Sequence, residues 1–203
     1  MPTRADATTV LIQDHRTVDE LFKRFEKTTE RAHTARRELV DSMIRELSVH
    51  AAIEEQVFYP RCKAKGKEIK DEILEALEEH HVMKEVLAEL EGMPVEHERF
   101  GARVTVLIEL TRHHVEEEEG ELFPHVRKAF SRDELVEMAE ELEAVRAVAP
   151  TRPHPNAPDE PPANLANLGA AAVDRTRDLG DQAVETVGKV VREVRSGAGK
   201  SRR

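Results

Sequence analysis

The sequence contains an internal repeat, which is seen when the chain is compared with itself at a shift of 64 or 65 residues. The pair Asp14-His15 in the first half matches Glu79-His80 in the second half. A longer match comprises one histidine, two adjacent glutamates and a proline, at His50, Glu54, Glu55 and Pro60 and again at His114, Glu118, Glu119 and Pro124. The repeat predicts two similar helix pairs around a pseudo-twofold axis, and each pair supplies two histidines and one glutamate.

Apolar residues recur at spacings of three and four, which is the pattern of amphipathic helices. Aromatic residues make up only 3% of the chain, which disfavours a β-sandwich or a barrel. The predicted long helices cover residues 8–31, 35–63, 68–91 and 96–129. A short fifth helix is predicted from Ser131, which forms a capping box with Glu134, to Arg146. Short connections between the long helices predict an all-α, up-down-up-down four-helix bundle.

Six of the ten prolines lie between residues 150 and 163, and neither a helix nor a sheet continues through such a segment. The chain is therefore predicted to divide into a bundle (1–149), a Pro-rich linker (150–163) and a basic tail (164–203). Small apolar residues recur every eleven residues in the tail, which predicts a conditional amphipathic helix that is flexible when free. Such a helix would form on a membrane surface or a protein partner, and a soluble spacer is the alternative.

The formal net charge of −10 argues against a nucleic-acid partner, because phosphate contacts need lysine and arginine. The single cysteine, Cys62, cannot form an intramolecular disulfide. It is expected to be either a free thiol near the surface or a small buried side chain. No stretch approaches the roughly 20 apolar residues of a membrane span. These features predict a cytoplasmic protein.

Six polar residues are predicted to point into the apolar interior of the bundle. His50 and Glu54 are four residues apart, as are His114 and Glu118, so each pair projects from one helix face. Two unpaired carboxylates in such surroundings would destabilise the fold by several kcal/mol, whereas a pair of metal ions compensates them. The candidate metal ligands are His15, His50, Glu54, His80, His114 and Glu118.

Two alternative interpretations of these residues are weaker. A lone buried histidine is usually a hydrogen-bonded core residue, but a duplicated His-Glu pair with two further histidines favours a metal site. A ferritin-like site would use Glu-x-x-His pairs. The chain has two such pairs, Glu78 with His81 and Glu30 with His33, but they lie on polar faces or in a turn. Tyr59 is interpreted as a packing residue.

The candidate ligands and their spacing resemble the hemerythrin-like, or HHE cation-binding, domain. The resemblance covers about residues 8–146 and includes the Phe58-Tyr59-Pro60 and Leu122-Phe123-Pro124 segments. It implies a four-helix bundle that holds a non-haem di-iron centre. The implied ligand set is His15 and His50 on one iron, His80 and His114 on the other, and Glu54 and Glu118 as bridging carboxylates. Coordination chemistry alone leaves manganese and zinc open.

A narrow site with two metals suits small ligands, so the predicted ligands are O2, H2O2 and NO. Detoxification of peroxide or nitric oxide is the leading prediction, because no output domain is recognisable. The alternatives are a sensor or carrier that binds O2 or iron without turnover, and a helical scaffold with a structural metal. O2-carrying members of the family have a histidine four residues after the one in the third helix, where this chain has Lys84. An ammonium group cannot bind a metal, so each iron would keep an open position.

Overall fold

The structure, a computed structural model, describes residues 4–157 and 170–180. All regular elements in these residues are helical, which confirms the all-α prediction. In chain order they are α1 (Ala7–Glu26), α2 (His33–Ile53), π1 (Glu54–Phe58), α3 (Tyr59–Lys63), α4 (Lys67–Gly92), α5 (Phe100–Glu117), π2 (Glu118–Leu122), α6 (Phe123–Ala129) and α7 (Arg132–Arg146). A further helical stretch, α8, covers residues 170–180.

Four long helical segments form a bundle. The first is α1, the second is α2 continued by π1 and α3, the third is α4, and the fourth is α5 continued by π2 and α6. α1 packs against α2, α4 packs against α5, and α2 also contacts α4. Short loops join consecutive segments, as antiparallel neighbours require. The predicted four-helix bundle with a short fifth helix is confirmed.

Two helix ends differ from the prediction. α1 ends at Glu26 rather than near residue 31, because the N–H and hydroxyl of Thr28 both donate to the Phe25 carbonyl and close a tight turn. α5 begins at Phe100 rather than near residue 96. The N–H groups of His97 and Phe100 each donate to the carbonyl three residues earlier, so this segment forms successive turns before the helix starts.

The second and fourth segments are each interrupted by a π turn, and each turn begins at a glutamate of the candidate site. The N–H of Tyr59 bonds to the carbonyl of Glu54, five residues earlier, and π2 repeats this geometry at Glu118. The next residue in each copy is a proline, which lacks an N–H and clashes with the α-helical carbonyl four residues before it. A wider turn accommodates the proline, and such π turns are frequent at functional sites.

The core consists of two apolar clusters at different heights in the bundle. One contains Ile53, Phe58, Ile73, Phe123 and Met138, the last from α7. The other contains Phe22, Met43, Leu90, Phe100 and Leu107. The four histidines and Glu118 lie between these clusters in the sequence of each helix, and Glu54 directly follows Ile53 of the first cluster. The polar centre therefore has apolar side chains above and below it.

Two local predictions concern α7 and the cysteine. The capping box at the start of α7 is confirmed, since the Ser131 hydroxyl accepts from the Glu134 N–H and the Glu134 carboxylate accepts from the Ser131 N–H. Cys62 is fully buried in the first cluster, and burial raises the pKa of its thiol to about 12. The cysteine is therefore a small core residue and not a surface thiol.

The described part of the Pro-rich segment lies on the bundle. Pro150 and Pro153 are buried. The Arg152 guanidinium lies 2.8 Å from Glu91 of α4 and 3.2 Å from Asp178 of α8. The division of the chain at residues 150 and 164 stays a prediction, and residues 158–169 and 181–203 lie outside the described residues. Among the helices that the structure describes, none is long and apolar enough to cross a membrane.

We expect a chain that ends at Ala149 to keep the bundle, because both apolar clusters and all six candidate ligands precede residue 150. The loss of the Arg152 ion pair, which is partly exposed, should lower the melting temperature by about 5 °C or less. Thermal unfolding followed by circular dichroism would measure this change against the full chain. A truncated chain without a cooperative transition would show that residues 150–203 are part of the folded unit.

Candidate metal centre

Four histidine rings, one from each long segment, meet in the middle of the bundle. His15 of α1 and His50 of α2 face each other, with their Nε2 atoms 3.2 Å apart. His80 of α4 and His114 of α5 do the same at 3.1 Å. Each ring is at least 95% buried, so the structure brings the four predicted histidines together away from solvent.

The two predicted carboxylates connect the histidine pairs. Glu54 Oε2 lies 3.1 Å from His50 Nε2 and 3.4 Å from His80 Nε2, which belongs to the other half. Glu118 Oε2 lies 3.3 Å from Nε2 of His15 and 3.5 Å from Nε2 of His114. Each carboxylate therefore lies between one histidine of each half, the position that a bridging ligand needs.

The donor atoms form two overlapping groups that could each hold a metal ion. Within each group, all atoms lie within 4.8 Å of one another. The first group is His15, His50, Glu54 and Glu118, and the second is Glu54, His80 and His114. The structure thus gathers all six candidate ligands, with the histidine pairing that the family resemblance implies.

A second layer of carboxylates, which sequence reasoning missed, contacts the outer nitrogen of every ring. The four Nδ1 contacts are Glu119 to His15 at 2.8 Å, Asp14 to His50 at 3.4 Å, Glu55 to His80 at 3.0 Å and Glu79 to His114 at 2.7 Å. A carboxylate at Nδ1 fixes that proton there and leaves Nε2 free to bind a metal. The signal was in the repeat, because Asp14 matches Glu79 and Glu55 matches Glu119.

The metal-free electrostatics of the centre are unfavourable. Burial and the neighbouring Glu118 charge raise the pKa of the Glu54 carboxyl well above its ordinary value. Burial acts the same way on Glu118, but His114 and His15 outweigh it and lower the pKa of that carboxyl. Burial lowers the pKa of His50 to about 4, so this ring is neutral, as metal binding requires.

Two buried carboxylate oxygens, Glu54 Oε1 and Glu118 Oε2, have no hydrogen-bond partner of normal geometry. Leaving a buried polar atom unpaired destabilises a fold by about 1–3 kcal/mol. Imidazole nitrogen and carboxylate oxygen together suit iron, manganese or zinc. The residues that are present therefore fit a pair of transition-metal cations.

Tyr59 packs in the first apolar cluster, as predicted, and its hydroxyl also contacts the centre. Its hydroxyl donates to Glu118 Oε1 at 2.9 Å and lies 3.4 Å from His80 Nε2, and the side chain is fully buried. Phe123 occupies the matching position of the second half and stacks on His15, with ring centroids 5.8 Å apart. The two halves therefore differ here by one hydroxyl group.

Lys84 and the other histidines lie outside the donor set. The Lys84 ammonium is 2.7 Å from Glu55 Oε1, so it holds the outer carboxylate of His80. His81 and His113 are exposed, as their polar helix faces predict. Glu78 is also exposed, so the Glu78 and His81 pair of the ferritin-like alternative does not reach the core.

A small cavity of about 20 Å³ adjoins the four rings. Beside the histidines, its walls include Val18, Leu47, Met83, Leu87 and Thr111. A water molecule needs about 10–15 Å³ on the same measure, so the cavity has room for one very small molecule. Its walls are mostly apolar, which suits a neutral ligand.

Comparison with known proteins agrees with this geometry. The sequence model of the family described as hemerythrin HHE cation binding domain matches residues 6–126, which include all six candidate ligands. An uncharacterized hemerythrin-like protein of Schizosaccharomyces pombe is 30% identical over 171 residues, which are 83% of each chain. A DNA nickase of Nostoc sp. is 27% identical over 132 residues, and the match covers 65% of this chain and 36% of that protein. The chain thus spans about a third of the length of the nickase.

A crystal structure with the same fold is that of a hemerythrin HHE cation binding domain-containing protein from Mycobacterium kansasii. It superposes with a TM-score of 0.61 at 23% identity and covers 70% of this chain and 86% of that chain. At this identity the likeness concerns the fold, whereas the family match rests on the sequence. The match over residues 6–126 and the relative in S. pombe together show that the chain belongs to the hemerythrin HHE cation-binding domain family.

Proposed function

We propose that the chain binds two iron ions and removes a small oxidant, either H2O2 or NO. The observation that carries the proposal is the position of Glu54 and Glu118, each of which lies between histidines of both halves. This arrangement supports two equivalent half-sites joined by two shared carboxylates. The donor types suit manganese and zinc as well as iron. The choice of iron therefore rests on the resemblance to hemerythrins.

A bound pair of iron ions would supply the electrons that the reduction of these ligands requires. The chain itself contributes a buried set of donors. The outer carboxylates hold all four Nε2 atoms toward the centre, and the two apolar clusters enclose it above and below. The small cavity beside the rings supports binding of a ligand of two to four atoms, and its apolar walls favour neutral H2O2, O2 or NO over anions.

The presence of Lys84 favours a site in which each metal keeps a free coordination position. In an O2 carrier of this family, a histidine occupies the position of Lys84. The Lys84 ammonium is bound to Glu55, at 2.7 and 2.8 Å from the two carboxylate oxygens, and it supplies no donor to a metal. Each metal would then have two histidines and the shared carboxylates, which leaves a position for a ligand. A carrier or sensor without turnover is the second candidate, and the reaction with O2 separates the two.

The similarity to the DNA nickase does not lead us to propose a DNA substrate. The match covers 36% of that protein, and this chain has a net charge of −10. Phosphate binding draws mainly on lysine and arginine, which are outnumbered here. We therefore propose small ligands as the partners of the metal centre.

We expect two metal ions per wild-type chain and at most one in the variant Glu118→Gln, because the amide is a weaker ligand and a bridge is lost. Glu116→Gln is the matched control, since Glu116 is exposed and lies two residues away. Elemental analysis of the purified proteins measures both. Equal losses in the two variants would show that the register of the fourth segment is wrong.

Removal of the metal should loosen the bundle, because Glu54 and Glu118 would lose the cations that compensate them. If the free metal is about 1,000-fold above its Kd, binding stabilises the fold by about 4 kcal/mol. The melting temperature should then fall by about 10 °C after chelation. Differential scanning calorimetry measures this, with the double variant His50→Ala/His114→Ala as a control that chelation should leave unchanged. A wild-type melting temperature that does not change after chelation would contradict the burial of the site.

The proposed activity predicts that the oxidised, iron-loaded protein converts two H2O2 molecules into two H2O and one O2. An oxygen electrode detects the product, and the Glu118→Gln variant should release at least tenfold less. The reduced protein should also be oxidised by O2 irreversibly. A colour change on mixing with O2 that reverses under argon would instead identify a carrier, and the substitution Lys84→His should then change it little.

A further inference from the structure

A second cavity, of about 50 Å³, lies between α4 and the junction of α5 with π2. At its inner end it reaches Glu118 and His114, two residues of the metal centre. Its remaining polar walls consist of glutamates only: Glu72, Glu75, Glu79, Glu117 and Glu121. We call these five residues the acidic mouth. The cavity therefore lies between a strongly negative surface and two residues of the metal centre.

Three glutamates of the acidic mouth have histidine partners. Glu72 contacts His125 at 2.7 Å, Glu79 contacts His114 Nδ1 at 2.7 Å, and Glu117 contacts His113 at 3.3 Å. The other two, Glu75 and Glu121, are exposed, and no lysine or arginine in the described residues forms an ion pair with them. Like charges around one opening repel each other, and the potential that results attracts cations.

The internal repeat provides a comparison within the same molecule. Glu75 and Glu121 match Val10 and Val57 of the first half, and Glu72 and Glu117 match Ala7 and Ile53. These matching residues are apolar, and α7 packs across α1 and π1 on that side. Asp14, which matches Glu79, is neutralised by Arg146 of α7 at 2.7 Å. The first half thus forms the equivalent helix pair without acidic residues at these four positions. The fold therefore does not require the acidic mouth.

The inner end of the cavity carries an independent sign of a ligand. Glu118 is 98% buried and lines the cavity, and its Oε2 atom has no hydrogen-bond partner of normal geometry. The Oε2 atom has only long contacts, 3.3 Å to His15 and 3.5 Å to His114, while Oε1 accepts from Tyr59. A buried carboxylate oxygen of this kind beside glutamates is a favourable position for a cation. The first cavity, beside the four rings, is mostly apolar and offers a cation no such path.

We propose that the acidic mouth is the entrance through which divalent cations, such as Fe²⁺, reach the metal centre. This inference rests on the proposed function, since it needs a centre that binds metal. Glu75 and Glu121 attract the hydrated ion at the surface. Glu79 and Glu117 line the same cavity as Glu118, which binds the ion in the metal centre.

An entrance controls the rate of loading more than the final state. Removing charge from Glu75 and Glu121 should slow uptake, whereas the six donors still bind two ions per chain. The effect should be largest at low ionic strength, because salt screens long-range attraction. Tyr59 offers a local signal for loading: it is the only tyrosine, the chain has no tryptophan, and its hydroxyl lies 2.9 Å from Glu118.

The test mixes metal-stripped full chain with Co²⁺ in a stopped-flow instrument and follows the quenching of Tyr59 fluorescence. Glu75→Gln/Glu121→Gln should load at least fivefold more slowly than wild type at low salt, and Glu75→Lys/Glu121→Lys more slowly still. The control Glu30→Gln/Glu98→Gln removes the same charge from exposed residues at the opposite end of the bundle and should load within twofold of wild type. All variants should reach two Co²⁺ per chain.

Three outcomes would overturn parts of this account. Equal loading rates in the acidic-mouth variant and the control variant would overturn the entrance and leave the proposed function intact. A slower rate that does not depend on salt would also overturn it, since attraction by charge would not be the cause. A wild-type chain that binds no Co²⁺, Fe²⁺ or Zn²⁺ would overturn the proposed function and the entrance together.

Discussion

The burial of Glu54 and Glu118 among four imidazoles is the constraint on which the rest of the structure depends. Both carboxylates are at least 98% buried, and burial raises the pKa of the Glu54 carboxyl, whereas the neighbouring histidines lower the pKa of the Glu118 carboxyl. The outer carboxylates and the Tyr59 hydroxyl hold the donors in place. The apolar clusters above and below lower the local dielectric constant, so the carboxylates would attract a cation in the centre strongly.

Much of this architecture could be predicted from the sequence, because helix periodicity shows which face of a helix is buried and the repeat shows which polar residues share it. His15 and His80 follow from that argument as directly as the His-Glu pairs. Periodicity could not predict the outer layer. Glu55 and Glu119 directly follow the two ligands, so an ideal helix turns them away from the core, but they lie in π turns and reach the rings of the other half. The hydrogen bond of Tyr59 could not be predicted either, because its hydroxyl acts across the bundle, at 2.9 Å from a residue of the fourth segment.

The two halves are most alike where the metals would bind and least alike at the surface. Both halves present a histidine, a histidine with a glutamate, and an outer carboxylate for each ring. Around this shared centre the first half is covered by α7, and the second half is open at the acidic mouth. Two metals need symmetric donors, but access is needed on one side only. The asymmetry therefore agrees with the proposed entrance, and it leaves the six donors unchanged.

The cavity beside the four rings and the cavity of the acidic mouth differ in the kind of ligand that their walls favour. A divalent cation is strongly hydrated, and carboxylate oxygens such as those of the acidic mouth are the groups that replace its water. The proposed ligands H2O2, O2 and NO are neutral and gain little from negative charge, which suits the mostly apolar cavity beside Leu47, Met83 and Leu87. A single polar channel for both would bring water to the ligand side of the centre and weaken the electrostatic interactions that hold the metals. Under the proposed function, separate routes keep the hydrated cation away from the mostly apolar cavity.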